Sequence, residues 1–395
     1  MDSNIPLFLR HIAQTSDAPL LLEIDSANGV YLTDTLGRQY MDLISGISVS
    51  NLGHSHPEVV KAVCEQAARH MHLMVYGEYV QSPQVKLAQL LTSLLPSSLS
   101  QVYFVNSGAE AVEGALKLAK RYTGRSGIVS FKNAYHGSSH GALSVTGGEW
   151  LKQPYRPLLP EIQLLTYGQA VELEAITDKT ACVIIEPVQG EGGVIVPPED
   201  YLQELRNRCN ETGALLIFDE IQTGFGRTGK LFAFEHAGVT PDILLLAKAL
   251  GGGMPLGAFV SSADIMPVLT HNPPLGHITT FGGHPVSCAA GYAALKVLTS
   301  ERLWEKAEEK ERLFRKLLNH PDILEIRSRG LIMAAELGNP DRVKAVIRKC
   351  VENGVITDWF LFRETALRIA PPLIISESEI RKACEVITRA MDDTK

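Results

Sequence analysis

Two stretches decide the fold: Ala214-Leu215-Leu216-Ile217-Phe218-Asp219-Glu220-Ile221-Gln222 and Asp242-Ile243-Leu244-Leu245-Leu246-Ala247-Lys248-Ala249-Leu250-Gly251-Gly252-Gly253. Each is a short apolar run, the pattern of a parallel strand covered on both faces. Each runs into a charged residue. An acid and a lysine at the carboxyl ends of such strands stand where open α/β sheets bind ligands. Both charges are costly there without a partner.

Outward from these runs the pattern continues. From Val102 to about Phe259, strands alternate with helices: Val102–Val105, Gly127–Phe131, Ile162–Leu165, Cys182–Glu186, Leu215–Asp219, Ile243–Leu246 and Ala258–Val260. That alternation is the α/β signature. The spacing 248 − 219 = 29 predicts one intervening helix and strand. Upstream, Leu20–Leu43 reads as a small antiparallel meander, with turn signals at Ser26-Ala27-Asn28-Gly29 and Thr35-Leu36-Gly37-Arg38. Pro57–His70 and Pro83–Leu95 have helical spacing. Downstream, helices are expected at Val286–Leu298, Glu301–Leu318, Asp341–Glu352 and Glu377–Met391, and strands at Ile323–Ser328, Leu331–Leu337 and Ala366–Ile369. The expected layout is a large α/β domain over residues 46–285 and a small α+β domain from residues 1–45 and 286–395.

A chain of 395 residues can bury a substantial core. Its 37 basic against 44 acidic residues argue against a dedicated nucleic-acid binder. The six cysteines are scattered without a C-x-x-C pair, so free, mostly buried thiols in a reducing compartment are expected. The first seventeen residues do not read as a signal peptide, and no stretch is long enough to span a membrane. A cytoplasmic location follows as the expectation.

Strand Val102–Val105 runs into Asn106-Ser107-Gly108-Ala109-Glu110 and then a helix. Ser107 is a good N-cap, and Ser107-x-x-Glu110 fits a capping box. Free N–H groups and the dipole at such a helix start also favour an anion. A phosphate cup, an acid and a lysine together point to pyridoxal phosphate. Its aldehyde would take the lysine as a Schiff base, and its pyridinium nitrogen would pair with the acid.

Five ordered motifs make the reading specific: Asn106-Ser-Gly-Ala-Glu-Ala111, Glu186-Pro-Val-Gln-Gly-Glu-Gly-Gly193, Asp219-Glu-Ile-Gln222, the Lys248 segment and Thr279-Thr280-Phe281-Gly-Gly283. With the Gly29–Leu43 meander and Gly53-His-Ser-His-Pro57, the chain resembles the class III (subgroup II) pyridoxal phosphate aminotransferases along nearly its whole length. The compact length is most similar to the acetylornithine and succinylornithine branch. The resemblance implies fold type I, a homodimer with shared active sites, and a place in amino-acid metabolism, in arginine biosynthesis. It implies transfer of the terminal amine of an ornithine-like donor (N-acetyl- or N-succinylornithine, or ornithine) to 2-oxoglutarate, giving a semialdehyde and glutamate. Other donors in the wider family are 4-aminobutyrate, lysine and further ω-amines, and relatives also include aminomutases, racemases and decarboxylases.

Roles follow position by position. Lys248 resembles the Schiff-base lysine and general base, Asp219 the partner of the pyridine nitrogen, and Gln222 the contact to the phenolic oxygen. Ser107, Gly108 and Ala109 resemble the phosphate cup, and Thr280 a threonine that reaches the phosphate from the neighbouring subunit. Tyr135 resembles the aromatic stacked on the ring. His136 and Glu186 are further cofactor contacts implied by the resemblance, and Thr279 and Tyr135 substrate contacts. Glu191 and Arg368 resemble a pair in which the arginine takes the α-carboxylate of glutamate. The glutamate holds the arginine when the other donor leaves it unoccupied, because a buried guanidinium needs a carboxylate in both half-reactions.

Two departures bear on the donor. Acetylornithine enzymes have an arginine after the His-Gly, where Ser138 stands here, and a serine cannot make its two charge-assisted bonds. Arg38, Arg156, Lys152 or a residue from the other subunit could compensate. The segment Met74-Val75-Tyr76-Gly77-Glu78-Tyr79 also differs from the usual entrance. Gly224-Phe-Gly-Arg-Thr-Gly229-Lys230 fits G-x-x-x-x-G-K, but Leu231 stands where a nucleotide-binding loop needs Ser or Thr, so a P-loop NTPase is the weaker alternative. The pairs His54/His56, His70/His72 and His136/His140 lack the spacing of a known zinc set, and no metal is expected.

Overall fold

The structure, a computed structural model, describes residues 3–75 and 77–394. Tyr76 of the entrance segment therefore lies outside the described residues. The central sheet contains β4 (Gln101–Val105), β5 (Gly127–Phe131), β6 (Ile162–Leu165), β7 (Thr180–Ile185), β8 (Leu215–Asp219), β9 (Ile243–Leu246) and β10 (Gly257–Ser261). Their order is β4-β10-β9-β8-β7-β5-β6. Strand β10 is antiparallel to both neighbours, and every other pairing is parallel. Strands β8 and β9 are buried at every residue, which is why they are apolar without alternation. The helix Gly108–Thr123 covers one face through Ala111, Val112, Ala115, Leu118 and Ala119, at helical spacing.

Two four-stranded sheets complete the structure. One joins β1 (Ile24–Asn28), β2 (Tyr31–Asp34) and β3 (Gln39–Asp42) to β13 (Val355–Ile356), so both ends of the chain share it. The other is β11-β12-β15-β14, from β11 (Glu325–Ser328), β12 (Met333–Glu336), β15 (Arg363–Ile369) and β14 (Asp358–Phe360). Five cysteines are buried, Cys64 is exposed, and all six are free.

Four sequence expectations need correction. The turn between β1 and β2 is not at Ser26-Ala27 but follows Asn28, because β1 shifts register between Ile24 and Ser26 and continues. Glu301–Leu318 is not one helix. Arg302 adopts φ +49°, and a short 3-10 turn (Leu303–Lys306) precedes the helix Ala307–Leu317. Between Asp219 and Lys248 the expected strand is present as β9, but no α-helix precedes it, only turns and the 3-10 segment Ala233–His236. The P-loop reading fails there too. No helix follows Lys230, and Arg227 is wholly buried, donating to the carbonyls of Leu331 and Pro371 and to Asn51 Oδ1. Glu220, also buried, accepts from the N–H groups of Ala233 (2.6 Å) and Phe234 (2.7 Å). This loop is an anchor between layers.

Residues Ser45–Ser48 form a turn with positive φ throughout, including Ile47 at +63°. A left-handed turn costs roughly 1–2 kcal/mol per residue with a Cβ. It is fixed by Asp42 Oδ1, which accepts from Ser45 N (2.9 Å), and by Ser45 Oγ, which donates to the Ala370 carbonyl (2.6 Å). Val49, directly after it, lines the cavity described next.

Candidate active site

The parallel strands deliver their last residues to one end of the sheet, and β10, running the other way, begins there. A cavity of about 560 Å³ opens at that end. Its wall takes Asn106–Ala109 after β4, Tyr135–Ser138 after β5, Glu186 and Glu191 after β7, and Asp219 and Gln222 from the end of β8 onward. Lys248 follows β9, and Gly253–Leu256 lead into β10.

Asp219 is 4 % exposed. Its Oδ2 lies 2.7 Å from His136 Nδ1, and its Oδ1 accepts from Ile221 N (3.0 Å). Both oxygens are thus oriented before any ligand arrives. His136 Nε2 and Gln222 Nε2 are buried without a protein partner. Such orphaned groups are costly, so they mark places where something else completes the bonding. Glu186 accepts from Tyr135 N (3.1 Å) and Gly190 N (2.8 Å), and burial pushes its carboxyl up to about 7. Lys248 sits at φ +47°, a conformation disfavoured for a side-chain-bearing residue and typical of functional positions. Burial holds its amine below the usual value, against the attraction of Glu191.

At the helix start, Ser107 Oγ accepts from Glu110 N (3.2 Å). The reciprocal half of the expected capping box is displaced by one residue. Glu110 Oε2 accepts from Asn106 N (2.8 Å) rather than from Ser107 N. The N–H groups of Gly108 and Ala109 are left free for an anion. Gly137, at φ +126°, brings the Tyr135–Ser138 loop against this helix. A Cβ there would stand 2.8 Å from Ala109 Cβ.

Arg368 is 3 % exposed, not on the surface. Its Nη1 donates to Glu191 Oε1 (2.8 Å), and its Nη2 donates to Glu191 Oε2 (2.6 Å) and to the Trp359 carbonyl (3.0 Å). Burial pulls against ionisation of both groups, yet their mutual attraction wins: Glu191 is held below and Arg368 above the ordinary value. Glu191 lines the cavity, and Arg368 lies behind it.

Three residues expected at the site do not line this cavity. Thr279 instead accepts from Asn106 Nδ2 (3.0 Å), Thr280 is exposed, and Arg368 is screened by Glu191. Within the chain, none of Arg38, Lys152 and Arg156 lines the cavity beside Ser138 either. Arg38 donates to the Glu352 carbonyl, and Arg156 and Lys152 both face Glu149. The Ser138 hydroxyl is 3.2 Å from Tyr135 Oη. The sequence reading missed Asn106 as a wall residue, the apolar wall of Met254-Pro255-Leu256, and Val49. Only Asn106, next to the cap, carried any sequence signal.

The residues fit pyridoxal phosphate: free helix-start N–H groups, an oriented acid, an orphaned amide donor and a lysine around one cavity. The comparisons agree. Residues 12–391 match the family Aminotransferase class-III. An acetylornithine aminotransferase from Methanopyrus kandleri is 43% identical over 92% of both chains, and one from Methanosarcina acetivorans is 40% identical over 98% of this chain and 96% of its own. Among solved structures, the ornithine aminotransferase of Toxoplasma gondii, described with partial occupancy of PLP at its active site, superposes with a TM-score of 0.91. It is 33% identical, with 98% of this chain and 93% of its own covered. An adenosylmethionine-8-amino-7-oxononanoate aminotransferase from Methanocaldococcus jannaschii is 28% identical with a TM-score of 0.92, covering 99% of each. With sequence and fold both matched along the whole length, the chain belongs to the class-III aminotransferases.

Proposed function

We propose that this transaminase uses pyridoxal phosphate to move the terminal amine of an ornithine-like donor (N-acetyl- or N-succinylornithine, or ornithine) to 2-oxoglutarate. The products are a semialdehyde and glutamate. The observation that carries the reading is the buried two-bond pair of Arg368 with Glu191, at the edge of a cavity that also holds Lys248 and Asp219. When bound, pyridoxal phosphate supplies an aldehyde for amines and a ring that accepts carbanion electrons.

The chain's own groups do the rest. Gly108 and Ala109 N–H groups, with Ser107, would hold the phosphate. Asp219, oriented by His136, would pair with the protonated ring nitrogen, and Gln222 Nε2 would donate to the phenolic oxygen. Tyr135 supplies an aromatic wall, and Glu186 fixes the Tyr135 backbone. Lys248 Nζ gives and takes the proton at the reacting carbon, helped by its lowered basicity. Arg368 binds the α-carboxylate of glutamate or 2-oxoglutarate once Glu191 turns away. Glu191 returns when the ω-amine donor is in place, so the guanidinium always has a counter-ion.

The reading extends to a homodimer in which Thr280 completes the phosphate site of the neighbouring subunit and Thr279 supports substrate. Its support is that Thr280 is exposed and away from its own chain's cavity, on a segment with exposed Leu275, Ile278 and Phe281. It also extends to a large domain of residues 46–285, a small domain from residues 1–45 and 286–395, and a cytoplasmic role in arginine biosynthesis. Among the described residues no helix is long and apolar enough to cross a membrane.

The test is a spectral titration of the yellow holoenzyme with single donors: N-acetylornithine, N-succinylornithine, ornithine, 4-aminobutyrate, lysine and glutamate. Bleaching by an acylated ornithine and by glutamate, with recovery on adding 2-oxoglutarate, is expected. Bleaching by 4-aminobutyrate or lysine alone would move the donor assignment. No bleaching by any donor would replace transamination with another chemistry of the family.

A further inference from the structure

Arg368 has a second carboxylate that the exchange with Glu191 does not use. Asp358 on β14 stands opposite Arg368 on β15 in the strand register. Its Oδ1 lies 3.0 Å from Arg368 Nε. That oxygen is shut off from solvent, although the side chain as a whole is 23 % exposed. The next two residues of β14 hold the same guanidinium. The Trp359 carbonyl accepts from Nη2 (3.0 Å), and the Phe360 ring lies under it, 4.6 Å from ring centre to Cζ. Asp358 thus meets the Nε edge as a close ion pair without a hydrogen bond, while Trp359 and Phe360 hold one nitrogen and one face.

The remaining edge, Nη1 and Nη2, is the one that Glu191 occupies with two parallel bonds. Glu191 comes from the loop after β7 and Asp358 from a strand paired to Arg368's own. One carboxylate can leave without disturbing the sheet, and the other cannot. A guanidinium is a rigid planar fork, so a negative charge beside Nε, with the Trp359 carbonyl on Nη2 and the Phe360 ring on its face, sets the direction of the opposite edge.

We propose that Asp358 is the positioning residue of the acceptor site. It holds Arg368 so that its two-nitrogen edge stays aimed at the cavity when Glu191 withdraws and the α-carboxylate of 2-oxoglutarate or glutamate takes its place. The inference rests on the reading of Arg368 given above and adds the group that keeps it aimed. A cross-strand pair of opposite charge could exist for strand pairing alone. Asp358 differs in that it faces an arginine already neutralised by Glu191, so its charge is surplus until Glu191 leaves. Burial accordingly raises its carboxyl to about 6, with Arg368 opposing and Glu191 adding to the rise. It is still largely ionised at neutral pH.

The experiment compares Asp358→Ala, Asp358→Asn and Arg368→Ala with the wild-type holoenzyme. Glutarate, a dicarboxylate that cannot react, is titrated calorimetrically. Single-turnover bleaching is followed with glutamate and with the ω-amine that bleaches the wild type. Asp358→Ala is expected to weaken glutarate and glutamate binding about tenfold, equivalent to about 1.4 kcal/mol. The limiting rate with glutamate and the whole ω-amine half-reaction should stay within about threefold, because lost aim affects binding of the carboxylate only. Asp358→Asn, whose amide oxygen can still face Nε, should recover part of the loss. Wild-type glutarate binding by Asp358→Ala, with binding lost in Arg368→Ala, would overturn the inference while leaving Arg368 in its role. Equal slowing of both half-reactions by both Asp358 variants would reduce the residue to sheet packing. Wild-type glutarate binding by Arg368→Ala would instead remove the reading of Arg368 on which this one depends.

Discussion

Two buried arginines of this protein are solvated in opposite ways. Arg227 is wholly buried and rests on two carbonyls and one amide oxygen, with no carboxylate among the described residues in contact. Burial pushes it down to about 9, so it keeps its proton at neutral pH at some cost in stability. Arg368, nearly as buried, has carboxylates on two of its edges and is held above its ordinary value. Neutral acceptors, two of them backbone carbonyls, stay in place, whereas a side-chain carboxylate can be swapped for that of a substrate. The first arrangement suits an anchor, and the second suits the exchange proposed for Arg368.

The comparison breaks most decisively at the anchor. Arg227→Met should destabilise the protein by about 3–5 kcal/mol, since three buried acceptors lose their donor. A fall in the urea midpoint of the apoprotein measures this, and a midpoint close to wild type would show that the loop bears no such role. Arg368→Ala should cost less stability but about a hundredfold in kcat/KM for 2-oxoglutarate, about 2.7 kcal/mol, with the yellow colour retained. Steady-state kinetics with varied acceptor reads it, and unchanged acceptor kinetics would place the carboxylate elsewhere.

A smaller effect depends on pH. Glu220 is the acidic counterpart of Arg227, held among the described residues by backbone N–H groups, and burial raises it to about 8. A carboxyl raised in the folded state contributes stability that is full below its unfolded value near 4.5 and is lost as pH rises through about 8. Glu220→Gln should therefore gain on wild type between pH 5 and pH 8 in urea unfolding, and a constant difference would show the carboxyl ionised throughout. Glu191 has the opposite sign. It is held below its ordinary value, so its contribution is present at neutral pH and is lost on acidification. The smallest effect expected is that of Glu191→Gln. Removing the competing charge should tighten glutarate binding only a few-fold, because Arg368 keeps Asp358. Calorimetry decides, and weaker binding would mean that Glu191 supports the acceptor instead of competing with it.

Much of this was legible from local pattern. The edges of β5, β6, β8 and β9 coincide with the apolar runs because both faces of the sheet are covered and a charge or turn residue ends each run. The cap at Ser107 was legible because capping is local. Where the reading slipped, the cause was non-local. The helix expected between Asp219 and Lys248 is replaced by turns that Arg227 and Glu220 tie down from residues far away in sequence. The Glu301–Leu318 helix breaks at Arg302, for which no local sequence signal stood out.

The sequence by itself determined the α/β core, the two charged strand ends, the capped helix start and the family, since each is written in contiguous residues. Tertiary structure alone decided that Arg227 is an anchor resting on neutral acceptors and that Arg368 is buried against two carboxylates. It also decided that Arg38, Lys152 and Arg156 stand away from Ser138, and that Asp358 faces Arg368 across two strands. Charge in a protein interior takes its meaning from its partners, and those partners come from parts of the chain that only folding brings together.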